Sequence, residues 1–287
     1  MKIIVILFFS MLLALPTYGQ NRETDYLSHV LEKMNAVESV TYHCVKKAWE
    51  PGDKEPVYSV PTEIYEHVNP QDTAVGYSFL CASDKEFRQP LWVYDGTVFA
   101  YIEKEEKEVR IDDFTQKSPL PFRVIMPQAF GCMKSILEYA LNTQDSIVLS
   151  LKDEGKDYLM ELSIHTPYQV EFFGKACYMP QNPYIYDPTS IYKIWISKEN
   201  DMPYRYRREM QHSSSEDICS DFVYNPSGKG KIVAEDYYPA DYVRRIKGEK
   251  SQKATVDMTG KKAPDWTLTD MKGQKVSLSG IKSKVIL

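Results

Sequence analysis

Residues 90–103 read "PLWVYDGTVFAYIE", and the two faces of this stretch decide the architecture. Asp95 and Gly96 form a hairpin turn signal, because both residue types accept the positive φ that tight turns demand. With these two as the loop, Tyr94 pairs with Thr97 and Trp92 with Phe99. One face of the hairpin then carries Trp92, Tyr94, Phe99 and Tyr101. The other carries Leu91, Val93, Val98, Ala100 and Ile102. Side chains alternate along a strand, and here both faces are apolar, so the hairpin has to be covered on both sides.

Outward from the hairpin the pattern is helix, several strands, helix, more strands. In 24–38, Leu27, Val30, Leu31, Met34 and Val37 follow helical spacing, with Thr24 or Asp25 as the cap. The run 39–46 changes to a strand pattern, and 57–82 holds further extended segments around a turn at Asn69, Pro70 and Asp72. The charged 103–113 stretch is a solvated turn leading into a strand. A second helix is expected over 127–141, with Pro127 in its first turn and Phe130, Met133, Leu137 and Ala140 as one stripe. Strands follow at 146–153 and 157–164, separated by a Glu154-Gly155 turn. A Pro- and Tyr-rich loop spans 177–190, and strands follow near 191–197, 204–211 and 217–225. Residues 248–259 are polar and read as a linker. This order predicts an α+β domain in which one curved antiparallel sheet packs on two helices.

The chain has 287 residues and a net charge of −5, which opposes a phosphate-binding, nucleic-acid role. Residues 1–19 have the form of an export leader: Lys2, an apolar run from Ile3 to Leu15, Pro16, then Thr17 and Gly19 before a cut at Gln20. The run is short for a membrane span, and no later segment is long and apolar enough to be one. The expected location is the periplasm or cell envelope. The five cysteines, Cys44, Cys81, Cys132, Cys177 and Cys219, are widely spaced with no C-x-x-C pair, which argues against zinc and for buried thiols.

The stretches "WVYDGTVFAYIEKEEKEVRIDD" and "IYKIWISKENDMPYRYRREM" resemble two hairpins of outer-membrane lipoprotein carrier (LolA-like) proteins, a likeness covering about 20–247. It implies an incomplete β-barrel with helices across its mouth and an apolar cavity for an acyl chain, lipid or lipoprotein. Trp92, Tyr94, Phe99, Tyr101 and Trp195 are then the ligand-binding candidates, set against the plainer reading of the same aromatics as core.

A second resemblance lies in 260–287. Gly260, Ala263, Pro264, Trp266, Leu268, Asp270, Gly273, Val276 and Leu278 are similar to the opening of thioredoxin-like domains of the alkyl hydroperoxide reductase/thiol-specific antioxidant (redoxin, TlpA-like) superfamily. It implies a β-hairpin and the start of a central strand. In that family a W-C-x-x-C follows at a helix start, where the dipole favours a thiolate. This chain has no such motif, so the resemblance implies a fragment or incomplete gene product. The parent would be an exported thiol–disulfide oxidoreductase or peroxiredoxin-like protein with a redox partner protein. The alternative is a non-enzymatic periplasmic carrier. No catalytic residue, metal ligand or cofactor is assigned.

Three other constellations carry nothing. His43 and Cys44 are strand neighbours and point to opposite faces. Ser213-Ser214-Ser215 lacks a nucleophile elbow and reads as a loop. Arg205, Arg207 and Arg208 read as a solvated strand face.

Overall fold

The computed structural model describes residues 17–115, 125, 128–170, 174–179, 186–247, 260, 265–270 and 272–281, with the backbone alone at 17–21. Most of the leader, Pro127, the 248–259 linker, Ala263, Pro264 and the final apolar run lie outside them. The chain divides into two compact units, Met1–Lys247 and Gly248–Leu287.

The first unit is built on a twelve-stranded curved sheet. Its first half is a meander: β1 (Ser39–Trp49), β2 (Tyr58–Val68), β3 (Tyr77–Ala82), β4 (Pro90–Tyr94), β5 (Val98–Glu103) and β6 (Glu108–Asp113). Its second half contains β7 (Val148–Asp153), β8 (Asp157–Ile164), β11 (Ser190–Ser197), β12 (Met202–Met210) and β13 (Ser213–Tyr224). A small separate ladder joins β9 (Tyr168–Val170) to β10 (Ala176–Tyr178). β14 (Val243–Ile246) adds a parallel strand beside β6. The order is β14-β6-β5-β4-β3-β2-β1-β13-β12-β11-β8-β7, so the two halves meet at one seam, β1 against β13. β14 and β7 are the edges; they do not pair, and the sheet stays open rather than closing into a barrel.

Helices α1 (Thr17–Asn35) and α2 (Ala129–Asn142) lie against one face. Leu27, Val30 and Met34 of α1, and Phe130, Met133 and Leu137 of α2, share a core with alternate residues of the central strands, such as Tyr42 and Cys44 of β1 and Tyr192 and Ile194 of β11. Apart from Leu31, which is half-buried, both predicted stripes are therefore buried. The first helix begins at Thr17, so Thr24 and Asp25 are interior helical residues rather than caps. Its far end is tied to the β11–β12 turn: Tyr26 donates to Asp201 (3.0 Å) and Lys33 to the Asn200 carbonyl (2.5 Å).

The opposite face of the meander is covered by the segment after β13. Val93, Ala100, Ile102 and Val109 pack with Ile232 and Ala234, the latter in a 3₁₀ turn at Ala234–Tyr237. The hairpin is thus covered on both sides, as its pattern demands. Its register differs from expectation by two residues: Tyr94 faces Phe99 and Trp92 faces Tyr101. The cause is Asp95, whose carboxylate accepts from the Thr97 and Val98 amides (2.8 and 3.1 Å), making Gly96 and Thr97 the central turn residues. Because the side-chain period is two, this shift keeps both face assignments. Gly96 has φ 97°, and a Cβ there would meet Asn69 Nδ2 at 2.4 Å.

Two loops expected from sequence are strands. Ser213–Ser215 open β13, facing Met210, Glu209 and Arg208 of β12, and Cys177 and Tyr178 belong to β10. Polar residues hide a strand when its exposed face is solvated and its neighbours supply the ladder. No helix among the described residues is long and apolar enough to cross a membrane.

The second unit contains a hairpin of β15 (Thr267–Thr269) and β16 (Lys275–Ser277), turning at Gly273 with φ 78°. Asp270 accepts from the Lys272 and Gln274 amides and closes the turn.

Phe79 is 1% exposed and Tyr101 44% exposed, although both project from the same face. Phe79→Ala is expected to lower the urea-unfolding free energy by about 3–5 kcal/mol. Tyr101→Ala, which loses little beyond its stacking on Trp92, should cost roughly 1 kcal/mol. Equal losses would contradict the burial difference.

Candidate functional site: a cleft beside the second helix

Helix α2 starts without local help. Its N-cap position is Gln128, which makes no side-chain cap hydrogen bond, and its first turn has no acidic residue. Four amides at such a terminus need acceptors. Two of them find one in Glu66 of β2, 64 residues from Phe130: Phe130 N donates to Oε1 and Gly131 N to Oε2, both at 3.0 Å. Tyr42 of β1 donates its hydroxyl to the same Oε1 at 2.5 Å. A Cβ on Gly131 would meet Glu66 Oε2 at 2.9 Å and the Tyr77 ring at 3.1 Å, so the glycine is what allows the helix so close.

Glu66 is 1% exposed. Burial pushes its carboxyl up to about 7, against the opposing pull of the Tyr42 hydroxyl, the two amides and Lys46. The Tyr42 hydroxyl is raised well above its ordinary range by burial and then by Glu66. Lys46 is buried too. Desolvation lowers its pKa, but its 2.8 Å pair with Asp217 outweighs that and holds it charged.

Next to this junction a cleft of about 330 Å³ opens between α2 and the β2–β3 end of the sheet. Val68, Pro70, Val75, Tyr77 and Phe79 line one side; Gly131, Cys132, Lys134, Ser135 and Glu138 of α2 line the other, with Glu66 and Gln128 also on the lining. The loop wall is held by Asp72, whose carboxylate accepts from the Ala74, Val75 and Gly76 amides and from the Tyr94 hydroxyl. The Tyr77 hydroxyl is buried without a hydrogen-bond partner among the described residues. Burial, then Glu66 and Glu138, raise its pKa. Lys134 sits 5.8 Å from the Tyr77 ring and 3.9 Å from Glu138.

The five residues singled out from sequence are not brought together here. Tyr94 is fully buried, its ring tilted against Phe79 and Phe114, and its hydroxyl donates to Asp72. Trp92 and Phe99 are half-buried on the same face; the Trp92 indole N–H has no partner among the described residues. Tyr101 stacks on Trp92 with ring centroids 6.2 Å apart. Trp195 departs from the group. Its strand neighbours Ile194 and Ile196 face the helices, so Trp195 faces away, under Arg205 at 4.0 Å and donating to Glu154 at 3.1 Å. Sequence reasoning placed it with the cavity residues because period-two alternation gives two faces without saying which one the helices cover.

The residues that do line the cleft were missed. Glu66 stands in an ordinary strand pattern; its one local signal is that it falls in phase with the apolar Ile64 and Val68. The arginines of β12 are neither free nor purely solvated: Arg205 pairs with Glu216 at 2.6 Å and Arg207 with Glu209 at 2.6 Å. His43 and Cys44 do point apart, His43 contacting Glu63 at 2.9 Å while Cys44 is buried.

The cleft offers apolar walls, a carboxyl raised to about 7 and a lysine. Among the described residues, no three His, Cys, Asp or Glu side chains are grouped to hold a metal ion.

No family model matches the chain, and no curated protein matches it. Among solved structures it is similar to LprF from Mycobacterium bovis (10% identity, 73% of this chain and 98% of that chain, TM-score 0.38). It is also similar to the lipoprotein LppX of Mycobacterium tuberculosis (8%, 73% and 97%, TM-score 0.35). A third likeness is to a LolA superfamily protein from Nitrosomonas europaea (9%, 76% and 99%, TM-score 0.27). At these identities and scores, none of them assigns a ligand to this chain.

The raised Glu66 carboxyl has a consequence for stability. An acid whose folded pKa lies above its unfolded value of 4.5 favours folding fully below that value, and this contribution is lost as pH rises to about 7. Between pH 4.5 and 7 the loss amounts to roughly 3 kcal/mol at most, at about 1.4 kcal/mol per unit. In Glu66→Gln the difference from wild type should change by up to that amount over the window and level off above it. Parallel pH profiles for the two proteins would show that Glu66 does not titrate there.

Proposed function

We propose that this protein is a non-enzymatic carrier of the cell envelope that takes an acyl chain, of a lipid or a lipoprotein, into the cleft between α2 and β2–β3. The observation that carries this reading is the cleft itself: about 330 Å³, walled by Val68, Pro70, Val75, Tyr77 and Phe79, at the lower end of the volumes typical of small-molecule sites. Part of its polar lining is spent on the fold. Glu66 already accepts three hydrogen bonds, and Ser135 accepts one from the Gly174 amide. A sugar or nucleotide needs more free partners than this, whereas an acyl chain needs none along its length. The leader-like segment at 1–19 and the carrier-like hairpins support the same reading.

The other reading is an exported thiol–disulfide oxidoreductase or peroxiredoxin-like protein with a redox partner. It rests on the sequence resemblance in residues 260–278, whose described part contains a hairpin turning at Gly273. A single hairpin is common to many folds, whereas the cleft belongs to the large first unit, so the carrier reading is preferred.

A dansyl-labelled fatty acid titrated into the purified full chain should gain fluorescence and saturate. Val68→Trp, which places an indole in the cleft from a half-buried strand end, should weaken binding by at least roughly tenfold while moving stability by no more than about 1–3 kcal/mol. A probe that never binds wild type, or that binds Val68→Trp equally well, would end the proposal.

A further inference from the structure

The seam between the two halves of the sheet contains a pair of cysteines in register. Cys44 of β1 faces Cys219 of β13 directly. Their side chains point to the helix-covered face, where Cys44 is 0% and Cys219 4% exposed. The Cys219 thiol lies within hydrogen-bonding reach of Cys44. Both are thiols in this structure. The other three cysteines are placed differently: Cys81 lies on β3, beyond β2, while Cys132 is on α2 and Cys177 on β10.

We infer that Cys44 and Cys219 are the two ends of a cross-strand disulfide that staples the halves of the sheet together, closed as the chain folds in the presence of a disulfide oxidant such as oxidised glutathione. Directly opposed residues of antiparallel strands have Cα atoms about 4.5–5.5 Å apart, inside the roughly 4.4–6.8 Å that disulfides span. Their Cβ atoms need only draw in slightly, from about 4.5–5.5 Å to about 3.5–4.5 Å. The site is also where a bond constrains most. It closes a loop that runs from β1 through β2–β12 to β13, and loop-closure entropy grows with length.

The chemistry is two thiol–disulfide exchanges. One cysteine thiolate attacks glutathione disulfide, forming a mixed disulfide and releasing one glutathione thiolate. The second cysteine thiolate then attacks the protein sulfur of that mixed disulfide, forming the Cys44–Cys219 bond and releasing the second. Two electrons pass from the protein sulfurs to glutathione, and the two thiol protons end on its two thiols. Exchange needs a thiolate and access. In the folded protein both sulfurs are buried, and burial followed by the neighbouring Cys44 thiol pushes Cys219 well above its ordinary range. Closure therefore belongs to folding, before the face is covered.

The test starts from full-length chain, denatured and reduced, then refolded in a mixture of reduced and oxidised glutathione. The products are quenched in acid, unfolded, alkylated and mapped by peptide mass. The expected result is one Cys44–Cys219 cross-linked peptide with Cys81, Cys132 and Cys177 alkylated. Chain folded under reducing conditions first, then moved to the same buffer, should form the bond at least roughly tenfold more slowly, since each unit of raised pKa removes a factor of ten in thiolate. Alkylation at all five cysteines after refolding, or a dominant bond from Cys44 to Cys81, would overturn the inference. Equal rates from the folded and unfolded states would overturn the claim that closure precedes burial.

Discussion

The structure depends on one buried carboxylate. Glu66 joins three elements with its side chain: its own strand β2, the neighbouring β1 through Tyr42, and the start of α2 through two amides. A helix N-terminus favours a negative charge, and this one has none of its own. The sheet supplies it. The cost is desolvation, which appears as a carboxyl lifted to about 7. The return is placement. With both oxygens of a planar group engaged by consecutive amides, the first turn of α2 has little freedom to slide along the sheet. The cleft next to it inherits that fixed geometry.

The same logic of long-range polar anchors recurs at the loops. Asp72 gathers three consecutive amides of its own loop and the hydroxyl of Tyr94 from β4, fixing the cleft wall to the meander. Asp95 caps its own turn and reaches across to the Ala234 amide, fixing the segment that covers the opposite face. The apolar clusters on the two faces provide most of the stabilisation, because removing apolar area from water is the main force that drives folding. They do not choose register or direction, and these carboxylates do.

This division explains what was legible in the sequence. Apolar periodicity is a local property, so the two helices, the meander and the double-sided 90s hairpin could all be read from it, down to Phe130, Met133, Leu137 and Ala140 forming a buried stripe. Turn chemistry was legible in kind and missed in detail. Asp95-Gly96 does mark the hairpin, yet the Asp95 side chain moves the central pair to Gly96 and Thr97. The helix start at Thr17, the strand begun by Ser213 and the parallel strand β14 were not legible. The two strands depend on partners distant in sequence: Ser214 on Trp49, Val243 on Glu108. The cleft was hidden for the same reason. The aromatics are conspicuous in sequence, whereas Glu66 and Gly131 are inconspicuous and meet only in the fold.

The placement of charge then bears on how the cleft can work. A carboxyl poised near neutrality is often a sign of catalysis, because acid–base chemistry needs a pKa near the working pH. Here the environment argues otherwise. Glu66 already takes three donors, and neither the tyrosine nor the lysine near it is in a state to exchange protons: Tyr42 is held well above its ordinary range, and Lys46 is committed to Asp217. The raised value measures the cost of burying an anchor. On the carrier reading proposed above, Glu66 shapes the cleft, and selection among ligands falls to the apolar wall of Val68, Val75 and Phe79 and to the Lys134–Glu138 pair beside it. A site of that kind distinguishes ligands by length and shape of the apolar part, with a charged or polar end met only by that pair. That is the discrimination a carrier requires, and it needs no reactive residue.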